Sequence, residues 1–394
     1  MRGIARLVSL SDEEKSRIGL LHTAKEIRQQ PGTWLKTLTM IMDNRARLEN
    51  SLTEVFDGDQ EVQVVLAGAG TSYYAALCAQ PLWRQNVSHW SEAWPTTRIL
   101  TEPSSIISPN HRMLLVSLAR SGNNPETLGS VKHSRELSSR PYQLAITCNK
   151  DSYLGNLQGT LDDAITLTLP PETLDQGLAM TSSFTNLVLA AQLVAEVYAG
   201  SEDFSVVAAL SDLAERLLRG SHEFMQFVDQ VHFNRVFVMG DGSLYGAALE
   251  TLLKFEEFSD GAIMGIAESF LGARHGTSNA INDSTLVIYL VSSDPVVRQY
   301  QTQVMAEIAE RRPRAKALAV TLHDDPALHS YAEHVIVLDE TGLVHIPDLW
   351  RAPLDVVAMQ CLTLQSALKL GVNPDSPFKK RATARAIEAI KPIG

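Results

Sequence analysis

Cysteine is scarce in this sequence, and the few cysteines stand far apart. Only Cys78, Cys148 and Cys361 occur, and no two of them form a CxxC pair. This odd, scattered set argues against a disulfide framework and is typical of a reducing compartment. We expect the three thiols to be buried parts of the core.

We expect neither a leader peptide nor a membrane span. The start, MRGIARLVSLSDEEK, has two arginines but becomes acidic at Asp12, before an apolar stretch develops. The most apolar helical stretch, TNLVLAAQLVAEVYAG, is interrupted by Gln192 and Glu196 and is too short to cross a bilayer. We therefore expect a cytoplasmic protein without a membrane partner.

Basic side chains are fewer than acidic side chains in this sequence. The chain has 45 acidic and 34 basic side chains, a formal net charge of -11. Such a surface repels nucleic acid and anionic lipid, so we expect no nucleic-acid partner. An anionic ligand would need a local pocket of its own.

One glycine-rich turn occurs twice in the sequence. GAGTSYYAAL at residues 68–77 returns as GDGSLYGAAL at residues 240–249, an offset of 240 − 68 = 172. Apolar runs follow the same order in both halves: VQVVLAGAG, MLLVSLAR, YQLAITC and AITLTL, then RVFVMGDG, STLVIYLVSS, KALAVTL and HVIVLDE. Runs without alternation are typical of parallel strands buried on both faces. The sequence predicts two α/β domains, each a doubly wound parallel sheet flanked by helices.

These patterns divide the 394 residues into four parts. We predict an N-terminal helical extension over residues 1–44, with a capping box at Ser11 and Glu14 and a helix ending at Pro31. The first domain covers residues 45–205, the second 206–375, and a basic tail 376–394.

The glycine-rich turns permit close backbone approach to a ligand, which is weak evidence taken alone, and they do not match a nucleotide site. A dinucleotide fingerprint would need a third glycine where Tyr73 stands, and no Gly-Lys-Ser or Gly-Lys-Thr of a Walker A loop occurs. More informative is LLVSLARSGNNPET, a buried strand that ends in Arg120, Ser121 and Gly122 before Pro125 begins a helix. Hydroxyl, amide and backbone N–H donors at such a helix start suit a phosphate, while the alternative is an ordinary capped turn.

The segments GAGTSYY, ARSGNNPET, AMTSSFTNL and LETLLKFEEF…ARHGTSNAINDSTLVIYLVSS, in this order, resemble the double-SIS-domain sugar isomerases. HTAKEIRQQPGTW and SSDPVVRQY narrow the resemblance to the AgaS-type tagatose-6-phosphate ketose/aldose isomerases, also described as galactosamine-6-phosphate deaminase/isomerases. The resemblance covers nearly the whole chain. It implies two tandem SIS domains, the first binding the sugar phosphate and the second supplying a catalytic glutamate and histidine.

The resemblance also implies the ligand contacts. Ala119 and Asn124 stand where the isomerase domain of glucosamine-6-phosphate synthase has a serine and a threonine, and the guanidinium fork of Arg120 would compensate. In the second repeat Leu244 replaces Ser72 and Asp294 lies in the corresponding loop, which predicts no phosphate there. The predicted substrate-binding residues are Gly70, Thr71, Ser72, Arg120, Ser121, Asn124 and Thr181.

Glu257 matches the base of the family and His275 its ring-opening histidine. Periodicity does not separate Glu256 from Glu257, and only the resemblance, through the spacing Lys254-x-x-Glu257, selects the latter. The alternative is a solvated helix end with Glu250 and Lys254 as an ordinary i,i+4 pair.

In several relatives the histidine serves a neighbouring subunit, which implies a homodimer or higher homo-oligomer with a shared site. Lys379 and Lys380 miss the spacing of a C-terminal site lysine, so that role stays unassigned. The other histidines form no i,i+4 ligand pair, and we expect neither metal nor cofactor.

The predicted reaction converts galactosamine 6-phosphate to tagatose 6-phosphate and ammonia by proton transfer between C2 and C1. Two alternatives stay open, a glucosamine-6-phosphate deaminase or phosphosugar deglycase, and a sugar-phosphate sensor without activity. A sensor would be expected to lack the Glu257 and His275 pair or to carry a DNA-recognition helix.

Overall fold

The computed structural model describes residues 2–58 and 61–378, which form sixteen α-helices and ten β-strands. The helices are α1 (Gly3–Ser9), α2 (Asp12–Ile18), α3 (Thr23–Arg28), α4 (Gln30–Asp43), α5 (Arg45–Phe56), α6 (Thr71–Asn86), α7 (Thr96–Thr101), α8 (Pro103–Ile106), α9 (Pro125–Leu137), α10 (Ser182–Tyr198), α11 (Ser205–Gly220), α12 (His222–Gln230), α13 (Ser243–Phe258), α14 (Phe270–Ala273), α15 (Pro295–Arg311) and α16 (Asp348–Leu370). The strands are β1 (Val62–Gly68), β2 (Ser91–Pro95), β3 (Arg112–Ala119), β4 (Arg140–Thr147), β5 (Ala164–Thr168), β6 (Arg235–Met239), β7 (Met264–Glu268), β8 (Thr285–Leu290), β9 (Lys316–Thr321) and β10 (His334–Val337).

The N-terminal region is helical, as predicted, and its capping box is present. The Ser11 hydroxyl accepts a hydrogen bond from the Glu14 amide at 3.2 Å, and the Glu14 carboxylate accepts one from the Ser11 amide at 2.9 Å. The predicted helix end at Pro31 is wrong. Helix α3 ends at Arg28, and Pro31 lies in the first turn of α4, where the missing N–H leaves no helical bond unmade.

Both sheets are entirely parallel and have the same strand order. The first runs β2-β1-β3-β4-β5, and the second runs β7-β6-β8-β9-β10 when read from the corresponding edge. Every residue of β1, β3 and β8 is buried, which explains why their sequences show no alternation. The duplicated, doubly wound fold predicted from the sequence is confirmed.

Sequence reasoning missed the same edge strand in each sheet, β2 and β7. Four of the five residues of β2 are only partly buried, and β7 is likewise half-exposed. Their sequences, SEAWP and MGIAE, contain the strand-disfavouring residues Pro, Gly and Glu. Edge strands tolerate these residues because one side of the backbone needs no ladder partner.

A buried helix packs against the first helix of each repeat. In the first repeat α10 lies against α6, and the Trp83 indole N–H donates to the Ala191 carbonyl at 2.8 Å. In the second repeat α16 lies against α13. The apolar stretch TNLVLAAQLVAEVYAG, which is too short to cross a membrane, lies mostly in α10 and is therefore part of a core helix. None of the helices in the described ranges is long and apolar enough to cross a membrane.

The described chain separates into two compact units. The first-sheet unit contains Gly32–Asp175 and Ser182–Val207. The second-sheet unit contains the described residues up to Pro31, Gln176–Thr181 and the described residues from Ala208 onward. The domain limits drawn from the sequence, at 44/45, 205/206 and 375/376, stay a prediction. All three cysteines are buried, as expected, and none of them forms a disulfide in the described part of the chain.

Candidate active site

The predicted phosphate residues lie at the topological switch point of the first sheet. Strands β1 and β3 are neighbours, and the chain leaves them toward opposite sides of the sheet. Ligands of open α/β sheets bind beyond the carboxyl ends of the strands at this place. Thr71 and Ser72 follow β1, and Arg120 and Ser121 follow β3. The strand order thus brings two distant sequence motifs to one edge of the sheet.

The loop after β1 requires both of its glycines. A Cβ at Gly68 would lie 2.3 Å from the Ser72 carbonyl carbon, and Gly70 has φ +54° and ψ −124°, angles that side chains rarely adopt. The echo in the second repeat has the same turn. Gly242 has φ +57° and ψ −129°, and a Cβ at Gly240 would lie 2.3 Å from the Leu244 carbonyl oxygen. The sequence repeat is therefore a repeat of backbone geometry.

The loop after β3 is held by its own side chains and by the loop after β4. The Ser121 hydroxyl donates to Asn124 Oδ1 at 3.1 Å, while Asn149 Nδ2 donates to the Ser121 carbonyl at 3.2 Å. Asn123 Oδ1 accepts from the Tyr153 amide at 2.7 Å. Pro125 begins α9, as predicted. Sequence reasoning missed Asn149, whose only signal is its place directly after a predicted strand.

Arg120 lies half-buried near the Cys148 thiol. Burial raises the pKa of Cys148 to about 12, a Thr173 hydrogen bond works against this rise, and the positive charge of Arg120 also opposes it. The thiol therefore stays protonated at neutral pH and is a poor nucleophile. The guanidinium is the cation of the loop after β3.

Thr181, the predicted sugar contact, belongs to the second-sheet unit. It is fully buried, and its carbonyl accepts a hydrogen bond from Gln360 Nε2 at 3.1 Å. The serines that follow it have a different partner. Asp175, buried in the first-sheet unit, accepts from the Ser182 hydroxyl at 2.5 Å and from the Ser183 amide at 2.8 Å, at the start of α10.

Glu257 is part of a buried charged cluster on α13. Lys254 Nζ lies 3.3 Å from Glu250 Oε1 and donates to Glu257 Oε2. The side chains of Glu250 and Lys254 are 0% and 1% exposed, and that of Glu257 is 23% exposed. A solvated i,i+4 pair is therefore the wrong interpretation of Glu250 and Lys254.

The charges of this cluster affect one another. Burial lowers the pKa of Lys254, but the nearby Glu250 and Glu257 carboxylates outweigh burial and raise it. Burial raises the pKa of Glu256, and the neighbouring Glu257 adds to the rise. Lys254 is therefore an ammonium shared by two carboxylates, and only one of these carboxylates is accessible to solvent.

His275 lies on an exposed turn directly after α14. The Ser269 hydroxyl caps α14 by accepting from the Gly272 amide at 3.2 Å, and the His275 amide donates to the Gly272 carbonyl at 2.9 Å. Gly276 has φ +123°, which lets the chain turn into the short 3₁₀ helix Thr277–Ala280. The imidazole thus stands at an exposed, glycine-bounded corner.

The corresponding loops of the second repeat are occupied by internal carboxylates. Asp348 Oδ1 accepts from the Ser293 amide at 2.9 Å, and Asp348 also accepts from the Ser292 hydroxyl. Asp294 caps α15 by accepting from two backbone amides. Burial would raise the pKa of Asp348, but Arg351 and the serine donors outweigh it and lower the pKa. The sequence pointed to Asp294 and missed Asp348, which lies 55 residues after Ser293.

Within the described ranges, no three His, Cys, Asp or Glu side chains form a group that could hold a metal ion. Lys379 and Lys380 lie outside the described residues.

Comparison with known proteins identifies the family. No family model matches the chain. D-galactosamine-6-phosphate deaminase AgaS of Escherichia coli is 31% identical over 370 residues, covering 93% of this chain and 94% of the relative. The protein of the same name from Shewanella sp. strain ANA-3 is 32% identical over 388 residues, covering 97% and 94%. The crystal structure of tagatose-6-phosphate ketose/aldose isomerase from Escherichia coli has a TM-score of 0.84 at 30% identity, covering 90% of this chain and 95% of that chain. The chain therefore belongs to the AgaS family of double-SIS-domain sugar isomerases.

Proposed function

We propose that this chain is a galactosamine-6-phosphate deaminase, which converts galactosamine 6-phosphate and water into tagatose 6-phosphate and ammonia. The observation that carries the proposal is the partly exposed Glu257 carboxylate held by a buried ammonium. Membership of the AgaS family supports the proposal. Relatives that are named as D-galactosamine-6-phosphate deaminases align with more than nine-tenths of this chain.

The reaction begins with ring opening. His275 takes the proton of the C1 hydroxyl and a proton is delivered to the ring oxygen, which releases the aldehyde. An exposed imidazole suits both transfers, because one of its ring nitrogens accepts a proton while the other donates one.

Glu257 then moves one proton from C2 to C1. The carboxylate takes the C2 proton, the C–H electron pair forms the C1=C2 double bond, and the carbonyl oxygen is protonated, which gives an enolamine. Glu257 returns the proton to C1 while the nitrogen lone pair forms a C2=N bond. Water adds to C2 of this ketimine and ammonia leaves, so the ketose forms without a redox step.

The phosphate role falls to the loops after β1 and β3. Ser72 and Ser121 supply hydroxyl donors and Arg120 supplies a cation, in the chemistry that suits a phosphate dianion. Gly70 lets the backbone approach closely. The Ser121 hydroxyl, which donates to Asn124 Oδ1 in this structure, would turn from that oxygen to the phosphate when the ligand binds.

A parallel assay of ammonia and ketose formation, with galactosamine 6-phosphate and glucosamine 6-phosphate, tests the proposal. We expect both products from the galacto substrate. Turnover of glucosamine 6-phosphate alone would show that the substrate is the gluco rather than the galacto sugar. Binding of both sugars without turnover would favour a sugar-phosphate sensor without activity.

Glu257→Gln tests the base. A general base contributes roughly 10²- to 10⁴-fold to the rate, and we expect a loss of kcat of that size with little change in KM. Glu256→Gln is the matched control, since it removes the neighbouring carboxylate and should retain turnover. Full activity of Glu257→Gln, or an equal loss in both variants, would remove Glu257 from this role.

We further propose a cytoplasmic homo-oligomer in which His275 serves a neighbouring subunit. Mixing His275→Ala with Glu257→Gln protein under conditions that exchange subunits should restore activity. Two variants that stay inactive after proven exchange would show that each subunit supplies both residues to its own site.

A further inference from the structure

Glu250 is a charged group that the proposed reaction leaves without a role. It lies on α13 seven residues before Glu257, is 0% exposed, and has its Oε1 3.3 Å from Lys254 Nζ. A carboxylate is rarely buried so completely unless it is paired, because the loss of hydration is expensive. Glu250 precedes Lys254 by one helical turn and Glu257 follows it by one turn, so both carboxylates contact the same ammonium. This arrangement suggests an electrostatic reason for the presence of Glu250.

One ammonium placed between two carboxylates divides its attraction between them. A lysine paired with a single carboxylate strongly favours the ionised form and lowers the pKa of such a carboxylate. A base with a lower pKa is a weaker proton acceptor, so its catalytic power falls. A second buried carboxylate behind the ammonium offsets part of its field and keeps the ammonium fixed.

We propose that Glu250 is a positioning residue for the base: it anchors the Lys254 ammonium and shares its charge, so that Glu257 keeps both its orientation and its basicity. The proposal rests on the proposed function, in which Glu257 moves the C2 proton. Glu250 itself is a positioning residue and acts only through Lys254.

The other charges on the elements packed against α13 have partners of their own. These elements are α16, β6 and β7. On α16 Arg351 pairs with Asp348 and Asp355, and Lys369 donates to backbone carbonyls at the end of α12. The carboxylate of Glu268, on β7, accepts from the Ser269 amide, and Arg235 begins β6 at the surface. On α13 itself, burial raises the pKa of Tyr245 with a contribution from Glu268, and Glu256 adjoins Glu257.

Glu250→Gln in the full-length chain tests the inference, because the amide keeps the shape and removes the charge. We expect kcat to fall about 10- to 100-fold, which is less than the loss for the base itself, with KM for galactosamine 6-phosphate unchanged. A general base acts in its ionised form, so the kcat profile has a limb on its acid side, where activity appears as pH rises. With the ammonium now facing Glu257 alone, the acid limb of the kcat profile should move to lower pH.

A purely structural residue would change thermal stability and the active fraction without moving this limb. An acid limb that stays in place or moves to higher pH overturns the inference, as does a wild-type kcat. If Glu250→Gln does not fold, Glu250→Asp serves instead. Aspartate keeps the negative charge but places it one methylene further from the ammonium. Glu250→Asp should therefore lower kcat while the acid limb stays at the wild-type pH. A wild-type kcat in Glu250→Asp would then overturn the inference.

Glu257→Gln, measured beside these variants, separates the two proposals. Loss of turnover in Glu257→Gln with a wild-type profile in Glu250→Gln would reject the role of Glu250 alone. Full turnover in Glu257→Gln would reject the base, and the role of Glu250 with it.

Discussion

The replacement Lys254→Met should destabilise the second-sheet unit strongly. Methionine fills a volume similar to that of the lysine stem, so little cavity results. The change removes the ammonium that lies 3.3 Å from Glu250 Oε1 in fully buried surroundings. Removing one partner of a buried ion pair costs about 3–5 kcal/mol, because the remaining charge has no compensation. We expect the free energy of unfolding at pH 7 to fall by about that amount.

The sign of the pH dependence follows from the raised pKa of Lys254. A lysine whose pKa is higher in the folded state stabilises the fold fully below its unfolded value, near 10.4, and the stabilisation is lost as pH rises through the folded-state pKa. In the variant the buried Glu250 carboxylate has lost the ammonium and resists ionisation, because burial disfavours its charged form. The difference in the free energy of unfolding between the wild type and the variant should therefore become smaller as pH falls from 7 toward 4.

Urea unfolding followed by tryptophan fluorescence measures these quantities. Lys132→Met is the matched control, since Lys132 and Glu136 form an i,i+4 pair at 3.8 Å with both side chains about half exposed. Exposed pairs contribute about 0–1 kcal/mol, so this variant should stay close to wild type. A Lys254→Met protein within about 1 kcal/mol of wild type at pH 7 would refute the reasoning that Glu250 is ionised and dependent on the ammonium.

Two further predictions concern the loops of the two repeats. Ser121→Ala should weaken binding of inorganic phosphate roughly 10- to 150-fold, the equivalent of one charge-assisted hydrogen bond, as measured by calorimetry. Ser293→Ala, the corresponding change in the second repeat, should leave that affinity unchanged, and an equal loss in both would contradict the assignment. Asp348→Asn should lower the free energy of unfolding by roughly 1.5–3 kcal/mol at neutral pH. Because the pKa of Asp348 is lowered on folding, its stabilisation is present above the unfolded value near 3.9 and is lost as pH falls further; a difference that persists at pH 2 would contradict this.

Much of the fold was predictable because its signals are local. Eight of the ten strands in the described ranges coincide with largely apolar runs, and the repeated Gly-x-Gly turn requires backbone angles that few residues other than glycine adopt. The missed strands β2 and β7 form through ladder hydrogen bonds to β1 and β6 rather than through their own side chains. The helix boundary at Pro31 was misplaced because a proline that ends one helix and a proline that begins the next look alike in sequence.

Some features of the candidate site were likewise predictable from the sequence, and others were not. The sequence by itself determined the duplicated turn, the donor-rich loop at Ser121 and the residue types at Glu257 and His275. Only the tertiary structure decided that Lys254 and Glu250 are buried, since burial depends on α16 packing over α13 from a hundred residues away. It also decided that Asp348 occupies the second repeat's loop. Charge interactions of this kind depend on distance and on exclusion of water, which a linear pattern does not contain.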